Sequence, residues 1–170
     1  ASIVTTTAGT SNFIAGVNAG NSITSGGNYN VLIGDEAGTA ITTGDNNVAI
    51  GYAALDANTT ASNNTAIGTS ALSANTTGAG NTAVGYQALD VNTTASDNVA
   101  IGIHALGANT TGANNVAVGR DSLVNNTTAS YNTAVGYASL LANTTGADNV
   151  AIGIYAMDAN TTGASNTALG

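Results

Sequence analysis

The sequence has no cysteine, proline or tryptophan, and Arg120 is its only basic side chain besides His104. Without cysteine, the chain cannot hold a disulfide scaffold. One basic residue and a formal net charge of −8 exclude the clustered Lys and Arg side chains that nucleic acids and anionic membrane surfaces attract. No apolar run is long enough to span a bilayer. We therefore predict no nucleic-acid partner and no membrane insertion.

Large and charged side chains are also scarce. Charged residues make up 6% of the chain and aromatic residues 4%, with Phe13 and Met157 the only residues of their kinds. A compact globule of this size needs more Leu, Ile and Phe to offset chain entropy. The apolar fraction of 43% is nevertheless too high for simple disorder. A regular architecture with a thin core fits both observations.

The chain is instead built from a strict repeat. A glycine recurs every seventeen residues, at Gly34, Gly51, Gly68, Gly85, Gly102, Gly119, Gly136, Gly153 and Gly170. An asparagine precedes each of these glycines by four residues, at Asn30, Asn47, Asn64, Asn81, Asn98, Asn115, Asn132, Asn149 and Asn166. The two columns are interpreted as structural repeat positions: the glycine permits a tight corner and the asparagine closes a turn.

The composition of the unit favours strands over helices. Its Gly, Asn and Thr content disfavours a helix, and seventeen residues are too few for two helices and a turn. The better interpretation is one solenoid coil that contains short strands. We predict an all-β protein, a parallel β-solenoid or β-roll of seventeen-residue coils, over residues 30–170. Residues 1–29 are expected to form an irregular N-terminal coil or junction.

Strand alternation assigns the side chains of each unit to two faces. In "NTAVG", Thr82 and Val84 share one face, and their β-branched columns are predicted to line the interior. Ala83 points the other way, so the Ala column is expected on the outside, against another surface. The column that contains Leu89 is the bulkiest and is expected to fill the core. Three rolls that pack through their Ala faces bury more apolar area than a lone thin roll.

The units "NTAVGYQAL", "NTAIGTSAL" and "NVAIGYAAL" resemble two sets of repeat proteins. One set is the repeat heads of trimeric autotransporter adhesins, whose unit is shorter than seventeen residues. The other is the "NTAVGYxAL…NTTG" repeats of phage tail fibres and similar bacterial surface fibres. The resemblance covers Asn30 to Gly170. It implies a left-handed parallel β-roll, a homotrimer, and an extracellular place on a virion tail fibre or a bacterial cell surface.

The sequence offers little for catalysis or metal binding. His104 is the only histidine, and its column is variable, as expected for a surface position. Acidic residues such as Asp56 and Asp90 share a column but skip units, so they are interpreted as solvated acids. The seven "NTT" sites match the N-glycosylation sequon, but a turn ladder is the favoured interpretation. We predict a protein that is not an enzyme and that binds no metal or other cofactor.

The column after each glycine is the most varied part of the unit. Its tyrosines Tyr52, Tyr86 and Tyr137 are candidates for stacking on sugar rings, and packing within or between chains is the alternative. The expected partners are further copies of the chain, in a homotrimer or end to end, and a cell-surface glycan or protein receptor. The chain stops in mid-unit, so we expect it to be a segment of a longer protein.

Three functions remain open at this point. The first is the shaft or head of an extracellular trimeric fibre that attaches to a host or surface. The second is a purely structural filament with no receptor. The third is ice binding, which regular threonine files on a solenoid suit. Because Thr59 and Thr60 are adjacent, strand alternation places them on opposite faces and leaves each face one threonine file. The sequence therefore favours the first function over the third.

Overall fold

The computed structural model describes the backbone of Ile3–Val4 and residues 9–170; residues 1, 2 and 5–8 of the predicted N-terminal junction lie outside these described residues. The described residues form short strands joined by turns and contain no helix. The strands are β1 Ile3–Val4, β2 Phe13–Ala15, β3 Val31–Ile33, β4 Val48–Ile50, β5 Thr65–Ile67, β6 Thr82–Val84, β7 Val99–Ile101, β8 Val116–Val118, β9 Thr133–Val135, β10 Val150–Ile152 and β11 Thr167–Leu169.

The strands lie side by side in one sheet, in the order of the chain. From β2 to β11 every neighbouring pair is parallel, and from β3 onwards each residue pairs with the residue seventeen positions later, as Ile50 does with Ile67. The first step is eighteen residues, with Phe13 opposite Val31. Strand β1 runs antiparallel to β2. The predicted parallel β-solenoid of seventeen-residue coils is confirmed.

The glycine column forms the corner that follows each strand. Gly68 has a φ of +133°, which L-residues rarely adopt. A Cβ atom on Gly68 would lie 2.5 Å from the carbonyl oxygen of Gly85 in the next coil. Both the backbone conformation and the close approach of successive coils therefore require glycine at this corner. The same contact recurs between Gly85 and Gly102, so the glycines lie directly over one another.

The structure reverses the predicted orientation of the strand side chains. From Ala49 to Ala151 the Ala column, of which Ala66, Ala83 and Ala100 are typical, is fully buried inside the coils. The β-branched columns on either side, represented by Thr82 and Val84, are only partly buried and face outwards. We call these two columns the outer sheet face; their residues are all β-branched from β3 to β10, and the columns continue through β2 and β11. Because the Ala column is core, the prediction that copies meet through an Ala face is wrong.

A narrow interior explains this reversal. The strand centre faces the Leu column across the coil, and there is room for only one large side chain between them. Where the strand centre is Leu32, the Leu column holds Gly38, whose added Cβ would lie 2.8 Å from Leu32 Cδ2. Ile14 and Gly20 show the same exchange one coil earlier. From Ala49 to Ala151 an alanine faces a leucine or Met157, and close packing leaves no space for valine at the strand centre.

The Leu column has an unusual backbone conformation. Leu72 and Leu89 have φ values of 54° and 53°, and the column two residues earlier, which contains Ala53, has similar values. Left-handed residues with a Cβ cost about 1–2 kcal/mol each. This conformation points the backbone N–H groups of the two columns towards opposite neighbouring coils. The N–H of Ala53 donates to Asp35 O in the coil before, and that of Leu55 donates to Ala71 O in the coil after, both at 3.0 Å.

The last third of each coil does not alternate like a strand. Asn58, Ala61 and Asn64 are buried, whereas residues 59–60 and 62–63, which separate them, lie at the surface. This period of three places both Thr59 and Thr60 on the outside, so the prediction that they occupy opposite faces is wrong. The Thr60 column is exposed, whereas Thr59 is half-buried, with its Oγ donating to the carbonyl oxygen of Thr76 at 3.4 Å.

Candidate functional site

Two asparagine ladders fix the coils to one another. The first contains Asn47 and Asn64: the backbone N–H of Asn64 donates to Asn47 Oδ1 at 3.0 Å, and Asn64 Nδ2 donates to Gly78 O at 2.9 Å. The second contains Asn58 and Asn75, with Asn75 Nδ2 donating to Asn58 Oδ1 at 3.1 Å and to Gly78 O at 2.8 Å. Both ladders thus meet at the carbonyl of Gly78, and they meet in the same way at Ala61, Ala95, Gly112, Ala129 and Gly163. The predicted repeat asparagines Asn47, Asn64, Asn81, Asn98, Asn115, Asn132 and Asn149 all lie in the first ladder.

The second ladder contains the asparagines of the "NTT" sites. Six of them are fully buried, namely Asn58, Asn75, Asn92, Asn109, Asn126 and Asn143. In the ladder interior the Nδ2 group, to which a glycan would be attached, donates both of its hydrogens inside the coil, as that of Asn92 does. The folded coil therefore leaves no path for a glycan at these six sites. The turn-ladder interpretation agrees with this geometry.

The candidate tyrosines lie on the corner that follows the glycine column. Tyr52, Tyr86 and Tyr137 are exposed to solvent on the same edge of the solenoid. A hydrogen bond to Glu36 raises the pKa of Tyr52 above its ordinary value. The ring of Tyr137 meets that of Tyr155 edge to face, with 5.2 Å between the ring centroids. The structure therefore places the predicted glycan contacts at the surface, spread over several coils.

The structure brings together a group that the sequence analysis did not assemble. His104 Nδ1 lies 3.2 Å from Asp121 Oδ1, and Arg120 Nε donates to Asp121 Oδ2 at 3.1 Å. The Tyr86 ring meets the His104 ring edge to face, with 5.6 Å between centroids. The sequence signal was the spacing of seventeen between His104 and Asp121, which stacks them in one column. We call Tyr86, His104, Arg120, Asp121, Tyr137 and Tyr155 the corner cluster.

The acidic column that includes Asp56 and Asp90 is less solvated than predicted. Burial raises the pKa of Asp90 above its ordinary value, and burial together with the nearby Glu36 carboxylate does the same for Asp56. Asp56 and Asp90 are two coils apart and Asp158 is four coils further on, so these carboxylates do not converge on one point. In the part of the chain that the structure describes, no group of three or more His, Asp or Glu side chains is arranged to hold a metal ion.

No protein-family model matches the chain, and no curated protein or solved structure is significantly similar to it. Over the described residues, no helix of the length and hydropathy needed to cross a membrane is present. Function is therefore inferred from the surface of the solenoid. It offers two features, the outer sheet face and the corner cluster.

Proposed function

We propose that this chain is a structural and adhesive segment, a shaft or head, of an extracellular fibre on a virion tail or a bacterial cell surface. Three copies assemble in parallel, each coiled left-handed, and the fibre attaches to a host or surface. The observation that carries the proposal is the outer sheet face. It presents only valine, isoleucine and threonine on the eight parallel strands from β3 to β10, and several of these side chains remain exposed; Ile101, for example, is 40% exposed.

The composition of this face supports assembly with further copies. Contiguous apolar patches on soluble proteins generally mark interaction sites. The face has no charged side chain, and its columns repeat at each rung, so an identical face on another copy matches it rung for rung. Assembly through this face leaves the corner cluster available at the edge. Three parallel copies then present three such edges, and weak contacts add up to avidity.

Charge placed on the outer sheet face tests this proposal. We expect the native protein to run at three times the 16.3 kDa of one chain in light scattering after gel filtration. The double variant Ile67→Glu/Ile101→Glu puts two carboxylates into the interface of a chain that is already acidic. It is expected to remain folded by circular dichroism but to become monomeric. A native protein that is monomeric at micromolar concentration would refute the assembly.

The matched control carries the same charge elsewhere on the same solenoid. Thr77→Glu/Thr111→Glu changes two exposed residues of the threonine column, which lies outside the outer sheet face. This double variant is expected to stay trimeric. If both double variants dissociate equally, general charge repulsion rather than the outer sheet face controls assembly, and the proposed interface is wrong.

Two other functions are separated by further measurements. A purely structural filament is expected to assemble but to bind no receptor. Ice binding is favoured by one observation: the columns of Thr59 and Thr60 both lie on the outer surface. The hydroxyl group of Thr59 is already committed to a carbonyl of the next coil, which leaves the Thr60 column as the regular file of available hydroxyls. Thermal hysteresis of a monomeric protein would support ice binding over the fibre.

A further inference from the structure

The coil formed by residues 115–131 departs from the repeat pattern on both its outward and its inward side. This coil carries the chain's only arginine, Arg120, next to Asp121. It also places Ser122 in a buried column that alanine otherwise dominates, and Ser122 Oγ is the one buried side-chain polar atom in the described residues that has no hydrogen-bond partner. Departures from local stability rules are expected at functional sites. The outward side of this coil is part of the corner cluster.

Asp121 is held in place between two neighbours. His104 Nδ1 approaches one of its carboxylate oxygens, and Arg120 Nε donates to the other. The Asp121 side chain is only 20% exposed. The Arg120 side chain is 61% exposed, and its two terminal nitrogens make no hydrogen bond within the described residues. The Asp121 carboxylate, a fixed acceptor, thus lies beside the two terminal nitrogens of Arg120, which can still donate hydrogen bonds. Such preorganisation lowers the entropy cost of binding a polar ligand.

Aromatic rings flank this polar centre along the solenoid axis. The Tyr86–His104 pair lies on one side of Arg120 and Asp121, and the Tyr137–Tyr155 pair on the other. Tyr86 and Tyr137 are three coils apart, a distance of about 14 Å at the usual strand spacing. Aromatic faces with polar groups between them suit a ligand that has apolar faces and hydroxyl edges.

The charge of the cluster selects against an anionic ligand. Arg120 and Asp121 neutralise each other, and the rest of the chain is strongly acidic. An anion therefore gains no net electrostatic attraction at this site. A neutral ligand with neighbouring hydroxyl groups can donate to the Asp121 carboxylate and accept from the Arg120 guanidinium.

We propose that the corner cluster is a binding site for a neutral oligosaccharide. Tyr86 and Tyr137 contact sugar rings, and Arg120 and Asp121 bind hydroxyl groups between them. The inference rests on the proposed adhesive function, and it assigns that function a ligand class and a site.

Because the chain has one arginine and one histidine, NMR can observe the site directly. The Arg120 Nε–H signal and the His104 ring signals are unique. The probes are neutral hexasaccharides of glucose, galactose, mannose and N-acetylglucosamine, with a galacturonic acid hexamer as the anionic counterpart. At least one neutral hexasaccharide is expected to shift both sets of signals in a saturable titration. The acid hexamer is expected to bind more weakly.

The variants use residues that occupy the same columns in other coils. Thr69 occupies the same column as Arg120 and Tyr137, so threonine is compatible with this position of the coil. The variants Arg120→Thr and Tyr137→Thr are each expected to weaken hexasaccharide binding about tenfold. Tyr52→Thr, in the same column but outside the cluster, is expected to bind like the native protein. For the variants without Arg120, the His104 signals report binding. Equal binding by Arg120→Thr and native protein would overturn the site.

Light scattering on the same samples separates this inference from the proposed function. A trimer that binds none of the four neutral hexasaccharides overturns the saccharide site and leaves the fibre proposal standing. A monomer that binds one of them supports the site and refutes the trimer. Stronger binding of the galacturonic acid hexamer than of any neutral probe overturns the assigned ligand class.

Discussion

Replacing one asparagine of the second ladder by aspartate tests how the coils are held together. Asn92 is fully buried. Its Nδ2 donates to Asn75 Oδ1 and to Ala95 O, each at 3.0 Å, and its Oδ1 accepts from Asn109 Nδ2 at 3.1 Å. The variant Asn92→Asp keeps the shape of the side chain but replaces both donated hydrogens with an oxygen. That oxygen then faces two other oxygens at hydrogen-bonding distance.

The expected loss follows from the protonation of the new carboxyl group. Burial and the two facing oxygens raise its pKa in the folded state above the unfolded value of about 3.9. Keeping it protonated near pH 7 therefore costs up to about 4 kcal/mol, at about 1.4 kcal/mol per pH unit. Even when protonated, it supplies one donor where asparagine supplied two, a further loss of about 1 kcal/mol. We expect Asn92→Asp to lose about 4–5 kcal/mol near neutral pH.

The sign of the pH dependence is the sharper part of this prediction. Because the folded-state pKa is raised, the folded protein holds the proton more tightly than the unfolded chain. Stability is therefore largest below the unfolded pKa and falls as the pH rises through the folded pKa. Urea denaturation followed by circular dichroism at several values between pH 3 and pH 8 measures this fall as a difference from the native protein.

The control makes the same chemical change at the surface. Asn63 is exposed, and its column already contains Asp97 and Asp148. Asn63→Asp is expected to change the free energy of unfolding by no more than about 0.5 kcal/mol. The reasoning fails if Asn92→Asp is as stable as Asn63→Asp at neutral pH, or if its stability rises with pH relative to the native protein.

Two further predictions concern the backbone. Gly68→Ala forces alanine into a φ that favours glycine, and it places a Cβ atom against the carbonyl of Gly85 in the next coil. Urea denaturation is expected to show that the free energy of unfolding falls by about 3 kcal/mol or more. Gly107→Ala, in a column that elsewhere holds larger side chains, is expected to be tolerated, and an equal loss would refute the role of the corner. Ala53→Gly relieves a left-handed alanine and is expected to raise the free energy of unfolding by about 0.5 kcal/mol. Ala57→Gly, where φ is not positive, is expected to lower it by a similar amount, and a loss in both variants would show that the conformation carries no strain.

The period of the sequence was enough to predict the stacking of coils. Seventeen-residue spacing places Gly68 under Gly85 and Asn64 under Asn81, whatever the shape of the coil between them. The asparagine columns were recognisable as turn and ladder positions because amides can bond to the backbone and to one another. These features depend on what repeats along the chain, and the sequence contains that information in full.

The orientation of the strands could not be obtained in the same way. Alternation separates Ala83 from Thr82 and Val84, but it does not say which set faces inwards. Hydrophobicity favours valine inside, and this led to the wrong assignment. The interior is instead shaped by the Leu column across the coil. The signal was present in two coils, where Ile14 and Leu32 at the strand centre coincide with Gly20 and Gly38 in place of leucine. Reading that pair as a volume exchange would have placed the Ala column in the core.

The left-handed conformation of the Leu column had no sequence signal. Leucine has no preference for positive φ, and nothing in "YAALDAN" distinguishes this turn from an ordinary one. The conformation follows from the bonds between coils, since Leu55 donates to one neighbour and Ala53 to the other. A single isolated unit would gain nothing from it. The strain is offset only by hydrogen bonds between stacked coils. The positive φ of the Leu column is therefore evident in the complete solenoid but not in the sequence of one unit.

The same logic explains where function can reside in this protein. Inward columns are constrained in every coil, because each side chain packs or bonds with its copies above and below. Apart from the Thr59 column, whose hydroxyls bond to the next coil, outward side chains are less constrained, and the chain's arginine, its histidine and all six of its tyrosines lie there. Residues seventeen positions apart in these columns are neighbours in space, as His104 and Asp121 are. A surface cluster in such a solenoid is therefore assembled from residues of successive coils, as Tyr86, His104 and Asp121 are, and a motif confined to one coil does not reveal it.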